Sequence, residues 1–224
     1  MTGTRRGGKP VEVFDLIRAA INTEAEAVSR LTAQVDAQYA VAVECMLNCE
    51  GKVIVTGVGK SGIIGRKIAA SLSSTGTPAY FLHACEAVHG DSGTVEKEDV
   101  VILISNSGET SEVLNLLPIL EEIGCQTIAI TSGRDSTLAR LCDIALVYGY
   151  EREADHLNLA PTTSAALTLV IGDALAVALS ILKGFDQASF YLYHPGGSLG
   201  EKLGSLVQKK SSETGDVSGE LEDQ

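Results

Sequence analysis

Two short segments rich in glycine, serine and threonine carry the residues best suited to binding an anion. Residues 105–110 read Ser-Asn-Ser-Gly-Glu-Thr and follow an apolar run at 100–104, and the helical pattern resumes after them. A turn that joins a strand to a helix presents unpaired N–H groups at the positive end of the helix dipole, which favours a phosphate. The hydroxyls of Ser105, Ser107 and Thr110 add side-chain donors, and Gly108 lets the backbone turn closely around a bound group. This segment therefore predicts a phosphate site without a lysine of its own.

The second segment, Gly-Val-Gly-Lys-Ser-Gly at residues 57–62, matches two nucleotide-binding patterns only in part. A dinucleotide site needs an acid at the tip of the next strand, and none occurs before Glu86. A P-loop needs its first glycine where Ile54 stands, inside the strand. What remains is a turn in which Gly57 and Gly59 allow close backbone approach and place Lys60 and Ser61 over a ligand. The alternative is a tight turn with a solvated lysine.

Other polar clusters are ambiguous when each is considered alone. Glu86 and His89 are three residues apart and share a face if their segment is helical. Such a pair could work as an acid and base, or could be a loop whose polar groups satisfy each other. His194 precedes a proline, which keeps it extended. It could end a helix, or could reach into a neighbouring site. Glu153 belongs to a polar cluster before an apolar helix.

Strand and helix patterns alternate over the middle of the chain and predict the fold class. Strands are predicted at residues 52–56, 79–82, 100–104, 127–131 and 144–147, and helices at 61–74, 111–123 and 138–141. This alternation predicts an α/β fold, a five-stranded parallel sheet flanked by helices on both faces in three αβα layers. Ligands of such sheets bind at the carboxyl ends of the strands, where both glycine-rich turns lie.

The composition limits the partners and the location of the protein. A net charge of −12 argues against a nucleic-acid surface and against attraction to anionic lipid. The five cysteines include no C-x-x-C pair, so we interpret them as buried thiols and not as metal ligands. Reduced cysteines suit a cytoplasmic protein. Arg5 and Arg6 are followed by polar residues instead of the apolar region of an export signal. We therefore expect neither a metal nor a cofactor.

The remaining segments complete the predicted organisation. Residues 10–50 predict two helices, or one long helix broken near 32–36. Residues 165–182 carry only Asp173 as a charge, at the lower limit for a membrane span. We interpret this run as a buried core or interface helix, because an aspartate halfway along is costly in lipid. We expect the chain to divide into a mobile lead-in at 1–9, one domain at 10–208 with its αβα core at 51–208, and a disordered acidic tail at 209–224.

Taken together, these segments resemble the sugar isomerase (SIS) domain family, and within it the arabinose-5-phosphate isomerases. The resemblance covers about residues 51–203. It is carried by residues 57–62, 74–78 (Ser-Thr-Gly-Thr-Pro), 86–91 (Glu-Ala-Val-His-Gly-Asp), 105–110, 159–164 (Leu-Ala-Pro-Thr-Thr-Ser), 172–176 (Gly-Asp-Ala-Leu-Ala) and 194–200 (His-Pro-Gly-Gly-Ser-Leu-Gly).

The resemblance implies interconversion of D-ribulose 5-phosphate and D-arabinose 5-phosphate, at the start of 3-deoxy-D-manno-octulosonate (Kdo) synthesis. It also implies a homotetramer in which some site residues come from another subunit. The phosphate is then held by Ser61, Ser105, Ser107 and Thr110, and the reacting carbons are surrounded by Lys60, His89, Glu112, Glu153 and His194.

Two departures from the family accompany this resemblance. The pair of regulatory CBS modules that usually follows the domain is absent from this sequence, so we expect no control through such modules. Many relatives read Glu-Ala-Cys-Pro-Leu where this chain reads Glu-Ala-Asp-His-Leu at residues 153–157. The second departure leaves one wall of the predicted pocket open to question.

The chemistry we expect is an aldose–ketose isomerisation through a cis-enediol. Glu112, Glu153 and His194 are the candidates for moving the proton between C1 and C2, and the residues do not rank them. Lys60 could stabilise the enediolate, and His89 could assist ring opening or polarise the carbonyl. The alternatives are another phosphosugar isomerase of the hexulose-phosphate type, or a sugar-phosphate sensor without turnover.

Overall fold

The computed structural model describes residues 12–196, and within them a five-stranded parallel sheet is the central layer. Its strands are β1 Val53–Gly57, β2 Ala79–His83, β3 Val100–Ile104, β4 Gln126–Thr131 and β5 Ile144–Val147. All four strand pairs are parallel, in the order β2-β1-β3-β4-β5. The predicted strands are confirmed to within one residue at each end. The predicted lead-in at 1–9 and tail at 209–224 lie outside the described residues.

Nine α-helices occur in the described part of the chain. They are α1 Val13–Leu31, α2 Ala37–Leu47, α3 Gly59–Ser74, α4 Ala84–Ala87, α5 Ser111–Leu114, α6 Leu117–Ile123, α7 Thr137–Leu141, α8 Thr163–Leu182 and α9 Gln187–Tyr193. The break near residues 32–36 is confirmed, because a 3₁₀ turn at Thr32–Gln34 separates α1 from α2. The single helix predicted at 111–123 is wrong. Pro118 lies in the first turn of α6, and a proline inside a continuous helix would clash with the preceding turn.

Successive strand residues face opposite layers, which places a hydrophobic core on each side of the sheet. Val55 and Ile102 belong to the core formed with α1, α2, α3 and α8. Ile54 and Leu103 belong to the core formed with α4, α5, α6 and α7. Both faces of a parallel strand are thus buried, which explains why β3 reads as an unbroken apolar run and why β1 begins Val-Ile-Val. The predicted three-layer αβα fold is confirmed.

Helix α8 is long and apolar enough to cross a membrane by length and composition, with a mean hydropathy of 2.2. One of its faces packs into the core, where Leu167, Ile171 and Leu179 are buried. Its single charge, Asp173, pairs with Lys67 of α3 at the surface. Core packing therefore accounts for one face of this helix, whereas Val177 and Ile181 remain exposed. A buried core or interface helix was the interpretation of residues 165–182.

The contact between α3 and α8 is close because α8 carries a glycine there. A Cβ added at Gly172 would overlap the side chain of Ile68, which is fully buried. The missing side chain lets the two helices approach, and this approach aligns their first turns beside the sheet edge.

We expect Gly172→Ala to destabilise the protein in the wild-type background by about 1–3 kcal/mol, because the methyl group overpacks the core. In an Ile68→Ala background the same change should be neutral or stabilising, because the obstructing atoms are gone and alanine favours a helix by about 1 kcal/mol. Urea unfolding of the four proteins measures both effects. Equal destabilisation in the two backgrounds would contradict this packing account.

Candidate active site

The two glycine-rich turns lie side by side at one edge of the sheet. Strand β1 pairs with β3 so that Gly57 lies opposite Ile104, the last residues of their strands. The chain reverses its direction of progress across the sheet at this pair, since β2 lies on one side and β4 and β5 on the other. Ligands of open α/β sheets bind in the crevice at such a point. The location predicted for the site is thus the switch point of the fold.

The first turn leads directly into α3. Gly59 has φ +56, a left-handed conformation that glycine adopts without strain, and it begins the helix. Lys60 is exposed and Ser61 is half-buried in the first turn of α3. The amide of Gly62 donates to the carbonyl of Val58 at 3.1 Å. Lys60 and Ser61 therefore lie at the positive end of the helix dipole, next to the second turn.

In the second turn, the hydroxyls of Ser105 and Thr110 lie 2.7 Å apart. The Ser105 hydroxyl also accepts from the amide of Gly108 at 3.0 Å. The Ser107 hydroxyl is exposed and accepts from the amide of Glu109 at 3.2 Å. Gly108 has φ +69, and a Cβ there would overlap Ser136. The geometry is compact enough for one anion to accept from several of these donors.

Glu153 is a buried carboxylate, with 5% of its surface exposed. One of its oxygens accepts from the Tyr150 hydroxyl at 3.0 Å. The other accepts from the amides of Thr162 and Ser164, at 2.8 and 3.1 Å, and from the Thr162 hydroxyl. Burial alone would raise the pKa of Glu153, but the nearby Ser164 hydroxyl, these amides and the tyrosine lower it below its usual value. Glu153 is therefore ionised at neutral pH and binds the start of α8.

A hydrogen-bonded chain joins Glu153 to the second turn. The side-chain amide of Asn106 donates to the Tyr150 hydroxyl at 2.9 Å, and its oxygen accepts from the Tyr148 hydroxyl at 2.9 Å. Tyr148 is buried and also contacts Thr168 of α8. The two tyrosines and Asn106 were not among the site residues predicted from the sequence. The available signal was the Tyr-Gly-Tyr segment at 148–150, which follows β5 at the carboxyl edge of the sheet.

Among the cavities that adjoin these hydrogen-bonded residues, two are lined by Asn106. A small one of about 10 Å³ lies between α3 and α8 and is lined by Lys60, Ser61, Asn106 and Ser164, among others. A larger one of about 460 Å³ is lined in part by Asn106, Ser132, Glu153 and Arg152. The larger volume is in the range of small-molecule sites. No group of three or more His, Cys, Asp or Glu side chains within residues 12–196 is placed to hold a metal ion.

His89 and Glu112 are both exposed at the same edge of the sheet. His89 follows α4, and α4 packs against α5, the helix that contains Glu112. Glu112 accepts from the Ser111 hydroxyl at 2.9 Å. Its pKa is lowered by its own backbone N–H and by that hydroxyl. The fold thus places Lys60, Ser61, the second turn, His89, Glu112 and Glu153 along one edge.

His194 is separated from these residues within its own chain. Its ring stacks on Phe190, with centroids 4.0 Å apart, at the end of α9. Phe185, at the start of this segment, approaches Gly76 beyond the carboxyl end of α3. Lys60 lies at the opposite, amino end of α3. Of the predicted site residues, His194 is the one that the described chain does not bring to the edge.

The residues that depart from the family pattern form an ordered turn. Asp155 accepts from the amides of Leu159 and Ala160 at 3.1 and 3.2 Å, and these bonds lower its pKa. His156 is exposed and pairs with Asp155 at 3.2 Å. The aspartate therefore closes the loop that leads from Glu153 to α8.

Comparison with known proteins is consistent with this geometry. The family model described as "SIS domain" matches residues 46–178. A probable arabinose 5-phosphate isomerase of Haemophilus influenzae is 44% identical over 196 residues, 88% of this chain and 58% of the relative. Arabinose 5-phosphate isomerase KdsD of Escherichia coli K12 is 50% identical over 180 residues, 80% of this chain and 55% of the relative. The chain spans about three-fifths of the length of these curated relatives.

A solved structure gives a fuller match. The Escherichia coli CFT073 protein c3406, in complex with arabinose 5-phosphate, is 48% identical and superimposes with a TM-score of 0.80. The match covers 83% of this chain and 100% of that one. The fold, the two turns and these matches together show that the chain belongs to the SIS domain family.

Proposed function

We propose that this protein is an aldose–ketose isomerase that interconverts D-arabinose 5-phosphate and D-ribulose 5-phosphate in the cytoplasm, supplying Kdo synthesis. The observation that carries the proposal is the juxtaposition of two donor-rich turns at the β1–β3 edge, with Lys60 beside them. The names of the relatives and the arabinose 5-phosphate bound to the structural neighbour support the choice of substrate. The catalytic unit is proposed to span residues 10–208, flanked by the segments 1–9 and 209–224.

In the proposed mechanism the phosphate is the remote anchor that fixes the sugar. Ser61, Ser105, Ser107 and Thr110 bind it together with the backbone amides of both turns. A base removes the proton from C2 of the aldose and returns it to C1, while a second proton moves from O2 to O1. Lys60 stabilises the negative charge of the enediolate that forms between these steps.

Three residues remain candidates for the proton transfers. Glu153 is ionised, which is the state that a base requires, but its four hydrogen-bond donors weaken its basicity. Glu112 is exposed and has a lowered pKa as well. His194 carries an imidazole, a group suited to proton transfer near neutral pH, and we propose that it enters from a neighbouring subunit. His89 is proposed to polarise the carbonyl or to assist ring opening.

An assembly of several subunits is the second part of the proposal. The first half of α1 exposes Phe14, Ile17 and Ile21, which have 68, 52 and 60% of their surfaces accessible. Val177 and Ile181 of α8 are also exposed, and α8 packs against α1. We call the exposed apolar side chains of these two packed helices the α1/α8 face. Exposed apolar surfaces of this kind mark interfaces, and we propose a homotetramer.

The isomerase is tested by turnover of D-arabinose 5-phosphate to D-ribulose 5-phosphate. We expect wild-type activity, and a loss of about 10²–10³-fold in kcat for Lys60→Ala, since a charge-stabilising group is removed. Lys97→Ala, an exposed lysine at the opposite edge of the sheet, is the matched control and should leave kcat unchanged. Binding of the sugar phosphate without turnover would indicate a sensor, and turnover of a hexulose phosphate alone would indicate a different isomerase.

The contribution of His194 from another subunit is tested by mixing two inactive variants. Lys60→Ala and His194→Ala proteins, dissociated and reassembled together, should regain about a quarter of wild-type activity, because half of the random pairs are mixed and each mixed pair has one intact site of two. Each variant reassembled alone is the control. Failure of the mixture to regain activity, with mixed oligomers demonstrated by mass spectrometry, would exclude a shared site.

The interface is tested by placing charge on the α1/α8 face. The double variant Phe14→Glu/Ile17→Glu should sediment as a smaller species than the wild type, since a buried unpaired carboxylate is strongly unfavourable. Leu141→Glu on α7, where 62% of the side-chain surface is exposed on the opposite face of the sheet, is the control. An unchanged sedimentation coefficient for the double variant would place the interface elsewhere.

A further inference from the structure

The protons in the chain of hydrogen bonds around Asn106 can be assigned one by one. Tyr148 is buried, and burial raises the pKa of its phenol, so it keeps its proton. Its hydroxyl donates to the oxygen of Asn106 at 2.9 Å, the nearer of its two acceptors, since the Thr168 hydroxyl lies at 3.2 Å. The nitrogen of Asn106 therefore faces Tyr150 and donates to its hydroxyl. The single proton of Tyr150 is then left for the carboxylate of Glu153. All donors of the chain point toward Glu153.

Hydrogen bonds that are all donated in the direction of Glu153 favour an ionised carboxylate at that end. Each bond polarises the next, so the negative charge of Glu153 strengthens the bond from Asn106 to Tyr150. The backbone of Asn106 is fixed at the same time, because its carbonyl accepts from the amide and hydroxyl of Ser132, at 2.9 and 2.8 Å. The turn at 105–110 is thus hydrogen-bonded to Ser132, which follows β4, on one side, and is linked through Tyr150 to Glu153 on the other.

We infer that Tyr150 is a positioning residue for the isomerisation, linking Glu153 to the phosphate-binding turn through Asn106. The inference rests on the proposed function, in which both ends of this link contact the substrate. It extends that function by explaining how a phosphate bound at one end is kept in register with the carboxylate at the other. A site held to this precision needs supporting side chains whose own positions are fixed by packing. The ring of Tyr150 meets this condition by stacking on Tyr148, with centroids 6.2 Å apart.

Polar groups from several elements surround Glu153. Tyr150 and Thr162 bind its carboxylate, and the guanidinium of Arg152 donates to its carbonyl at 3.1 Å. Lys60 and Ser164 line the adjoining small cavity. Of these, Tyr150 is the residue that connects the carboxylate with the turn.

The test is Tyr150→Phe, which removes one hydroxyl and keeps the ring. We expect kcat/KM for D-arabinose 5-phosphate to fall about 10–100-fold, since a hydrogen bond to a charged group is lost. The acidic limb of the pH profile should move to higher pH, because the tyrosine lowers the pKa of Glu153. Tyr39→Phe is the matched control. Tyr39 is buried, and its hydroxyl has no hydrogen-bond partner among the described residues, so kcat/KM and the acidic limb of the pH profile should be unchanged.

A double-mutant cycle with Asn106→Ala gives a readout that needs no turnover. If the two residues act in one chain, the urea midpoint of the double variant should fall by less than the sum of the two single shifts. Strictly additive midpoints, or an unshifted acidic limb in an active Tyr150→Phe enzyme, would overturn the inference.

The pH dependence of stability supplies a further check. A carboxylate with a lowered pKa stabilises the fold above its unfolded pKa, and this stabilisation is lost as the pH falls through the folded pKa. Tyr150→Phe should therefore lose less stability than the wild type as the pH falls from about 5, just above the unfolded pKa of a glutamate, to about 2. An equal loss in both proteins would contradict the link. A wild-type protein that shows this linkage and the coupled midpoints without any isomerase activity would refute the proposed function while leaving the link in place.

Discussion

The parallel pairing of β1 with β3 is the constraint on which the candidate site depends. The register Val53↔Val100 through Gly57↔Ile104 brings the ends of both strands to the carboxyl edge at the same level. A slip of one residue would displace one turn by about 3.3 Å and would exchange the two core layers, since neighbouring side chains of a strand face opposite sides. The burial of β1 and β3 on both faces therefore fixes the relative position of the two turns. Chemistry at the edge is specified by hydrophobic packing beneath it.

The buried carboxylate of Glu153 shows how the fold maintains a charge at this edge. Transfer of such a group out of water costs several kcal/mol. Four donors, from Tyr150, Thr162 and Ser164, offset this cost, each contributing about 1.5–3 kcal/mol as a bond to a charged acceptor. Two of them are backbone amides at the start of α8, which a helix leaves unpaired in any case. The same bonds thus satisfy two amides at the start of the helix and hold the carboxylate.

Much of this arrangement could be predicted from the sequence because it follows from local rules. The apolar residues at 53–55 and 100–104 indicated β1 and β3, and the glycines at 57, 59 and 108 indicated where the chain turns. The division of residues 111–123 into α5 and α6 was missed although Pro118 signals it, because the apolar spacing continues across the break. The link through Asn106 and Tyr150 could not be predicted. It joins residues 44 positions apart, and their contact depends on the order of strands in the sheet.

The distance of His194 from the carboxyl edge of the sheet is set by the length of helix α8. Helix α8 has 20 residues and so rises about 30 Å, and it runs from the edge near Lys60 toward the segment that carries α9. The α9 segment begins where Phe185 packs against Gly76, at the far end of α3. Tyr193, the residue before His194, stacks on Phe185 with centroids 6.0 Å apart, so α9 leaves His194 near the same far end of α3. An imidazole extends only a few ångströms from its backbone and does not span the distance to Lys60 within one chain. Any catalytic role for His194 therefore requires a second subunit, and the apolar α1/α8 face offers a surface through which one can bind. The proposals of a shared site and of an oligomer are for this reason a single proposal.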